Sequence, residues 1–254
     1  MQLFIGTSGW SYDHWQGLLY PERTPVRARL EHYAREFRTA ELNTSFYRWP
    51  PPATFAGWRE RLPTGFRLAV KASRFLTHYR RLGDPQGWVD RMVPGLRALG
   101  AHAGPLLVQL RADQARDEER LADFLARLPP GVPVALEARH PSWDTPGVHA
   151  VLARHGAAWC VADGEGLPST EGIPVASGFA YIRLHGPRGA PMYASPYPEQ
   201  QLRDWADRIR ALDGVAREVH VYFNNDVGGH AVRDARALRS LLGDVAHGTG
   251  DAPP

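Results

Sequence analysis

Six short apolar runs in this chain each close on a polar residue of the kind that does chemistry. They end as Ala40-Glu41-Leu42-Asn43, Leu68-Ala69-Val70-Lys71, Leu106-Leu107-Val108-Gln109, Val134-Ala135-Leu136-Glu137-Ala138-Arg139, Tyr181-Ile182-Arg183-Leu184-His185 and Val221-Tyr222-Phe223-Asn224-Asn225. Strands of a parallel sheet are covered on both faces, so they read as continuous apolar stretches. In a (β/α)8 barrel every strand ends at the same rim, and chemistry gathers there. The pattern therefore predicts where function sits before it says what the function is.

Between the runs, the spacing switches to that of amphipathic helices. Leu3 to Ile5 reads as a first strand, followed by a helical stripe of Val26, Leu30, Tyr33 and Phe37. Thr39–Leu42, Phe66–Val70, Leu106–Leu110, Val134–Leu136, Ala158–Ala162, Phe179–Leu184 and Val219–Phe223 supply the remaining strands. Pro51-Pro52 suits a helix start ahead of Phe55, Trp58 and Leu62. Trp88, Met92, Leu96 and Leu99 form another stripe, with Pro94 set to kink it. Gly164 to Gly178 has no helical pattern and reads as a long loop over the cavity. Eight strands alternating with helices predict an α/β fold, a TIM-like (β/α)8 barrel in a single domain over 1–245 with a disordered tail over 246–254.

With 254 residues the chain has the length of one such barrel. The balance of 30 Lys+Arg against 27 Asp+Glu is too even to point to nucleic acid by itself. Lys71 is the one lysine; every other basic side chain of that count is an arginine. The single Cys160 excludes an internal disulfide and a cysteine metal cage, and its apolar neighbours suit a buried, inert thiol. Neither a signal peptide nor a run long enough for a bilayer is visible, so a cytoplasmic protein without membrane association is expected.

Several strand-end groups are candidates for chemistry. Glu41 and Asn43, two apart, would share a strand face, as would Glu137 and Arg139, and Arg183 and His185. A glutamate at the mouth could serve as general acid or base, or could be a structural partner of arginine. Lys71 matters more, because an amine can lose its proton and a guanidinium cannot. Its alternative is an ion pair with Glu41 or Glu137. Thr7-Ser8-Gly9 suits a turn whose N–H groups face an anion. Asn224-Asn225-Asp226 ahead of Gly228-Gly229-His230 suits an oxyanion or hydroxyl site. Tyr12, Trp15, Tyr20, Phe46, Tyr47, Trp49 and Trp143 fall after strands, either to stack on a ligand ring or to cap the core. The expected catalytic groups are Glu41, Lys71, Glu137 and His185. The expected ligand contacts are Ser8, Asn43, Tyr47, His78, Gln109, Arg139, Asp163, Arg183, Tyr193, Asn224 and Asn225. No His-x-x-x-His or equivalent spacing favours a divalent metal, and the sequence names no cofactor.

Taken together, Gly6-Thr7-Ser8-Gly9-Trp10-Ser11-Tyr12 with Trp15, Gly17, Tyr20 and Pro21, then Glu41-Leu42-Asn43-Thr44-Ser45-Phe46-Tyr47, resemble the opening blocks of the DUF72 family, the YecE-like proteins. Lys71 with Thr77-His78, Leu107-Val108-Gln109-Leu110, Glu137-Ala138-Arg139-His140 with Trp143, Tyr181 to Gly186 with Tyr193, and Tyr222 to Asp226 through His230-Ala231 follow in that family's order. The resemblance implies a TIM-like barrel whose polar strand ends cluster; it implies no reaction. Arg111 after Gln109-Leu110, Ala176 before the seventh strand and Asp234-Ala235 in the last helix depart from the family's usual Pro, Thr and Asn-Ala.

The expected function is an enzyme acting on a small polar, phosphorylated or sugar-like ligand. Glu41 or Glu137 would be acid/base, and Lys71, Arg183 and His185 would stabilise negative charge. Asn43, Gln109, Asn224 and Asn225 would orient the ligand. The rival readings are a metal-assisted phosphodiester hydrolase and a non-catalytic barrel that binds a nucleotide or nucleic acid.

Overall fold

The computed structural model describes residues 1–167 and 172–243; the tail expected over 246–254 lies outside the described residues. Eight strands form the sheet: β1 (Gln2–Thr7), β2 (Thr39–Leu42), β3 (Arg67–Lys71), β4 (Ala103–Gln109), β5 (Val134–Glu137), β6 (Ala158–Asp163), β7 (Phe179–Leu184) and β8 (Glu218–Phe223). All pairs are parallel, in the order β1-β8-β7-β6-β5-β4-β3-β2, which makes a nearly closed barrel. The helices are α1 (Arg29–Ala34), α2 (Thr44–Tyr47), α3 (Pro52–Arg59), α4 (Gln86–Ala98), α5 (Glu118–Arg127), α6 (Pro146–Arg154), α7 (Glu199–Arg210) and α8 (His230–Leu242).

Most strand boundaries follow the apolar runs, because burial on both faces favours apolar side chains along a parallel strand; β4 starts three residues before its expected run, at Ala103. Helix limits differ more. Val26 is exposed and falls in a 3-10 turn ahead of α1, outside the expected stripe. Pro52 opens α3 at the position where a missing N–H costs nothing. Pro94 lies inside α4, which continues through it. Between β6 and β7 the described residues form no helix, as the missing periodicity predicts.

β1 and β2 close the cylinder by a seam without a continuous ladder. Ser8 and Glu41 form an isolated bridge, and the Gly9 N–H donates to the Glu41 carbonyl at 2.8 Å. The buried Tyr33 hydroxyl does the rest. It accepts from the Thr7 N–H at 2.9 Å and donates to the Thr39 carbonyl at 2.9 Å. Only glycine fits at position 6, since a Cβ there would lie 2.2 Å from the Thr39 carbonyl oxygen. The β3–β4 register slips between Leu68 and Val70, beside Gly104-Pro105, where proline has no N–H to give the ladder.

Most of the core lies between the sheet and its helices. A second, smaller cluster fills the barrel itself: Ala69, Leu107, Ala135, Ala158, Cys160, Phe179, Tyr181 and Tyr222. At the N-terminal end, His220 stacks on Phe4 at 4.9 Å and meets Phe179 edge-on. His220 also pairs with Glu218 at 3.1 Å at this end. Among the described residues, no helix is long and apolar enough to cross a membrane.

Candidate functional site

Strand side chains alternate with a period of two, so the interior set fixes which strand ends face the mouth. On β3, Ala69 is interior, and so is Lys71, which stands in register with interior Leu107. Leu107 and Ala135 put Gln109 and Glu137 inward as register partners. Tyr181 puts Arg183 inward on β7.

Arg183 is the hub. It is fully buried and lies between two carboxylates that are also fully buried. Its Nε donates to Glu41 Oε2 at 2.9 Å and one terminal nitrogen to Glu41 Oε1 at 2.7 Å. Its other terminal nitrogen pairs with Glu137 Oε2. Glu41 also accepts from Ser8 Oγ at 2.6 Å and from the Tyr181 hydroxyl at 2.7 Å. Four donors on two oxygens saturate that carboxylate. Burial alone would raise Glu41, but the Arg183 charge and these hydrogen bonds hold it below the usual carboxylate range. Glu137 accepts from Gln109 Nε2 at 2.6 Å and Arg139 Nε at 2.9 Å. Against burial, the charges of Arg183 and Arg139 hold it well below its ordinary value.

His185 borders the hub, with Nε2 3.8 Å from Glu137 Oε1. With Asn224 Nδ2 as donor, Nδ1 accepts at 3.0 Å, and the ring proton falls on Nε2. Burial and the Arg183 charge lower its pKa to about 4, so it is neutral at pH 7. Tyr193 meets this ring edge-on at 5.4 Å, and its hydroxyl accepts from Arg139 at 3.3 Å. Tyr193 holds φ at +69°, a conformation uncommon outside glycine. Arg139 is about a fifth exposed, and its partners take Nε and one terminal nitrogen.

The β3 corner is different. The Lys71 ammonium lies 4.3 Å from the centre of the Phe46 ring, and no carboxylate among the described residues pairs with it. The expected alternative, an ion pair with Glu41 or Glu137, does not form, because Arg183 and Arg139 occupy both carboxylates. Burial, then the Arg183 charge, lower Lys71 from 10.5 to about 7. His78 meets the same Phe46 ring at 4.8 Å, and its Nδ1 bonds Thr77 Oγ1 at 2.9 Å. Burial, then the Lys71 charge, lower His78 to about 4.

Ser8, Glu41, Lys71, Gln109, Glu137, Arg139, Arg183, His185, Tyr193 and Asn224 therefore gather at one rim, with His78 at its β3 side. Three expected contacts fall elsewhere. Asp163 faces outward, since β6 is interior at Ala158 and Cys160; it is bonded by Tyr197, Trp205 and Arg188 in the helical layer. Asn225 is buried away from the mouth and donates to Asp234 Oδ2 at 2.7 Å and to the Ser195 carbonyl at 2.9 Å. Asn43 does not share the Glu41 face, because the strand ends at Leu42 and Asn43 turns into α2 with φ −97° and ψ −22°. Tyr47 stays at the β3 side, edge-on to Phe46 at 5.1 Å, but is 64% exposed with the Arg74 guanidinium over its ring.

The turn after β1 does not present N–H groups to an anion. The Thr7, Ser8 and Gly9 N–H groups donate to Tyr33, Phe223 and Glu41. Asp226 likewise holds His14 and Trp15. Of the loop aromatics, Trp15, Tyr20, Trp49 and Trp143 are buried in the core. Tyr181 was missed as a site residue, although its spacing of two from Arg183 marks it for the same face. Among the described residues, no three His, Cys, Asp or Glu side chains form a group that could hold a metal ion.

The family model described as "Protein of unknown function DUF72" matches residues 4–254. The chain is 26% identical over 280 residues to the UPF0759 protein YunF of Bacillus subtilis, covering 99% of this chain and 98% of that one. It is 30% identical over 146 residues to the UPF0759 protein YecE of Escherichia coli K12, covering 57% of this chain and 51% of YecE. The crystal structure of a DUF72 family protein from Thermotoga maritima superposes with a TM-score of 0.84 at 26% identity, over 95% of this chain and 99% of that one. A barrel of this topology, carrying the family's sequence blocks from end to end, makes this chain a member of the DUF72 family.

Proposed function

We propose that the barrel mouth is the active site of an enzyme for a small anionic ligand, and that Lys71 handles the reacting proton or bond. The observation that carries this reading is the unpaired amine itself. It stands at a strand end, beside two carboxylates already committed to arginines. That arrangement moves the acid/base role expected of Glu41 and Glu137 onto Lys71. A carboxylate that accepts four donors and is stabilised as an anion is a poor acid at neutral pH and a weak base. An amine titrating near 7 is suited to either proton transfer or nucleophilic attack. Glu41, Glu137 and Arg183 then form the rigid floor that sets the field at Lys71. Arg139, partly exposed, is the guanidinium left to receive a carboxylate or phosphate.

The test is a panel of short carboxylates, phosphate esters and sugar acids, read by thermal shift and then by turnover. A binding class is expected to raise the midpoint of the wild-type chain. That rise is lost in Arg139→Ala, and turnover is lost in Lys71→Met. Full turnover by Lys71→Met overturns the reading, as does undiminished binding by Arg139→Ala.

A further inference from the structure

We infer that Lys71 is a covalent nucleophile, condensing with the carbonyl carbon of a short anionic aldehyde or ketone to form an imine, while Arg139 receives the anionic group. The inference rests on the reading of the mouth as an active site and goes one step beyond it.

Three observations carry it. First, this chain places arginine at every basic position but one. Anion binding would be served by arginine at position 71 as elsewhere, and better, since a guanidinium binds oxyanions in a fork. What arginine cannot supply is a neutral amine. Second, proton acceptors already stand at the rim. His78 and His185 are both neutral at pH 7 and can relay a proton, but an imidazole cannot condense with a carbonyl carbon to a stable double bond. An amine adds the ability to form a carbon–nitrogen double bond. Third, the surroundings suit that chemistry. The ammonium rests on the Phe46 ring face and, among the described residues, has no carboxylate partner to hold it charged. Apolar contact together with nearby cations is a known way to keep a lysine amine nucleophilic.

The step balances as follows. The neutral Lys71 amine attacks the carbonyl carbon, a C–N bond forms, and the carbonyl π pair moves to oxygen. Nitrogen loses one proton and oxygen gains one, giving a carbinolamine. A second proton on that oxygen lets it leave as water, and the nitrogen lone pair closes the C=N bond. The product is a protonated imine. His78, which meets the same Phe46 ring as Lys71, would pass the proton between nitrogen and oxygen. The imine then draws electrons from the adjacent carbon and eases loss of a proton or a carbon substituent there. Hydrolysis returns the free amine.

The chain has two amines, Lys71 and the Met1 α-amine, so covalent capture can be assigned without ambiguity. The full chain is incubated with glyoxylate, pyruvate or glyceraldehyde 3-phosphate and reduced with borohydride, which delivers hydride to the imine carbon. The intact mass is then measured and the peptide carrying Lys71 sequenced. The expected result is one stable adduct on Lys71, forming faster as pH rises through about 7 and slowed several-fold in His78→Ala. Capture by the two carboxylates against the phosphate shows which anion Arg139 accepts. Adducts confined to Met1, or a Lys71 rate that climbs only toward pH 10 as for a free amine, overturn the inference. If anions still stabilise the wild type but not Arg139→Ala while no probe is captured, the imine fails and the active-site reading stands. If neither binding nor capture occurs, both fail.

Discussion

Two corners of the barrel mouth lie side by side and solve burial in opposite ways. At β2, β5 and β7, charge is matched by charge: Glu41, Arg183 and Glu137 use their hydrogen-bonding capacity on one another and on Ser8, Tyr181, Gln109 and Arg139. At β3, Lys71 has an aromatic face and, among the described residues, no counter-ion. The first corner is ordered by its own contacts and has little capacity left for a ligand. The second is left electrostatically unfinished. A group that is costly to keep unpaired marks the place where a fold serves chemistry at the expense of stability.

The comparison can be broken most directly at its hub. Arg183→Met leaves two buried carboxylates without a cation, and is expected to cost roughly 3–5 kcal/mol in denaturant unfolding. A loss below 1 kcal/mol would mean that the hub is not what holds this corner. Glu41→Gln is milder, about 1–3 kcal/mol, because the amide offers an N–H to donors that need an acceptor. Tyr33→Phe removes the hydroxyl that stitches β1 to β2 and orphans the buried Thr7 N–H, at about 1–3 kcal/mol in the same measurement.

Lys71→Met predicts the opposite sign. Its methylene stem is kept and the unpaired charge removed, so the unfolding midpoint at pH 7 rises or holds while turnover disappears. The linkage with pH sharpens this. Lys71 is deprotonated in the folded chain from about 7 but keeps its proton to 10.5 when unfolded. Between those values the unfolded state binds more protons, so stability should climb with pH, and Lys71→Met should flatten that climb. His78 and His185 act in the same direction lower down. Each folded pKa, about 4, lies below the ordinary 6.5, so stability falls as pH drops through that interval. Glu41 and Glu137 contribute stability above the ordinary carboxylate pKa that is lost only as pH falls through their lowered values.

Much of the mouth was legible because parity along a strand is a local property. Glu137 with Arg139, and Arg183 with His185, could be paired by counting in twos. The same count misled at Asn43, because it assumed a strand one residue longer than the chain makes. Asp163 and Asn225 show the other limit. Asp163 ends β6 and Asn225 follows β8, both with the right chemistry, but one residue of phase turns them toward the helices. The Thr7-Ser8-Gly9 turn looked like an anion cradle because its composition permits one. Its N–H groups are taken by β8, β2 and Tyr33, partners remote in sequence.

The sequence by itself determined the alternation of strands and helices, and with it the rim at which the polar strand ends collect, since burial on both faces favours apolar side chains along a parallel strand. It also singled out Lys71, by using arginine everywhere else. Only the tertiary structure decided which cation each glutamate would hold. Arg183 takes both carboxylates because a guanidinium can bridge two anions at fixed angles in a buried space, and that leaves the Lys71 amine without a carboxylate partner among the described residues.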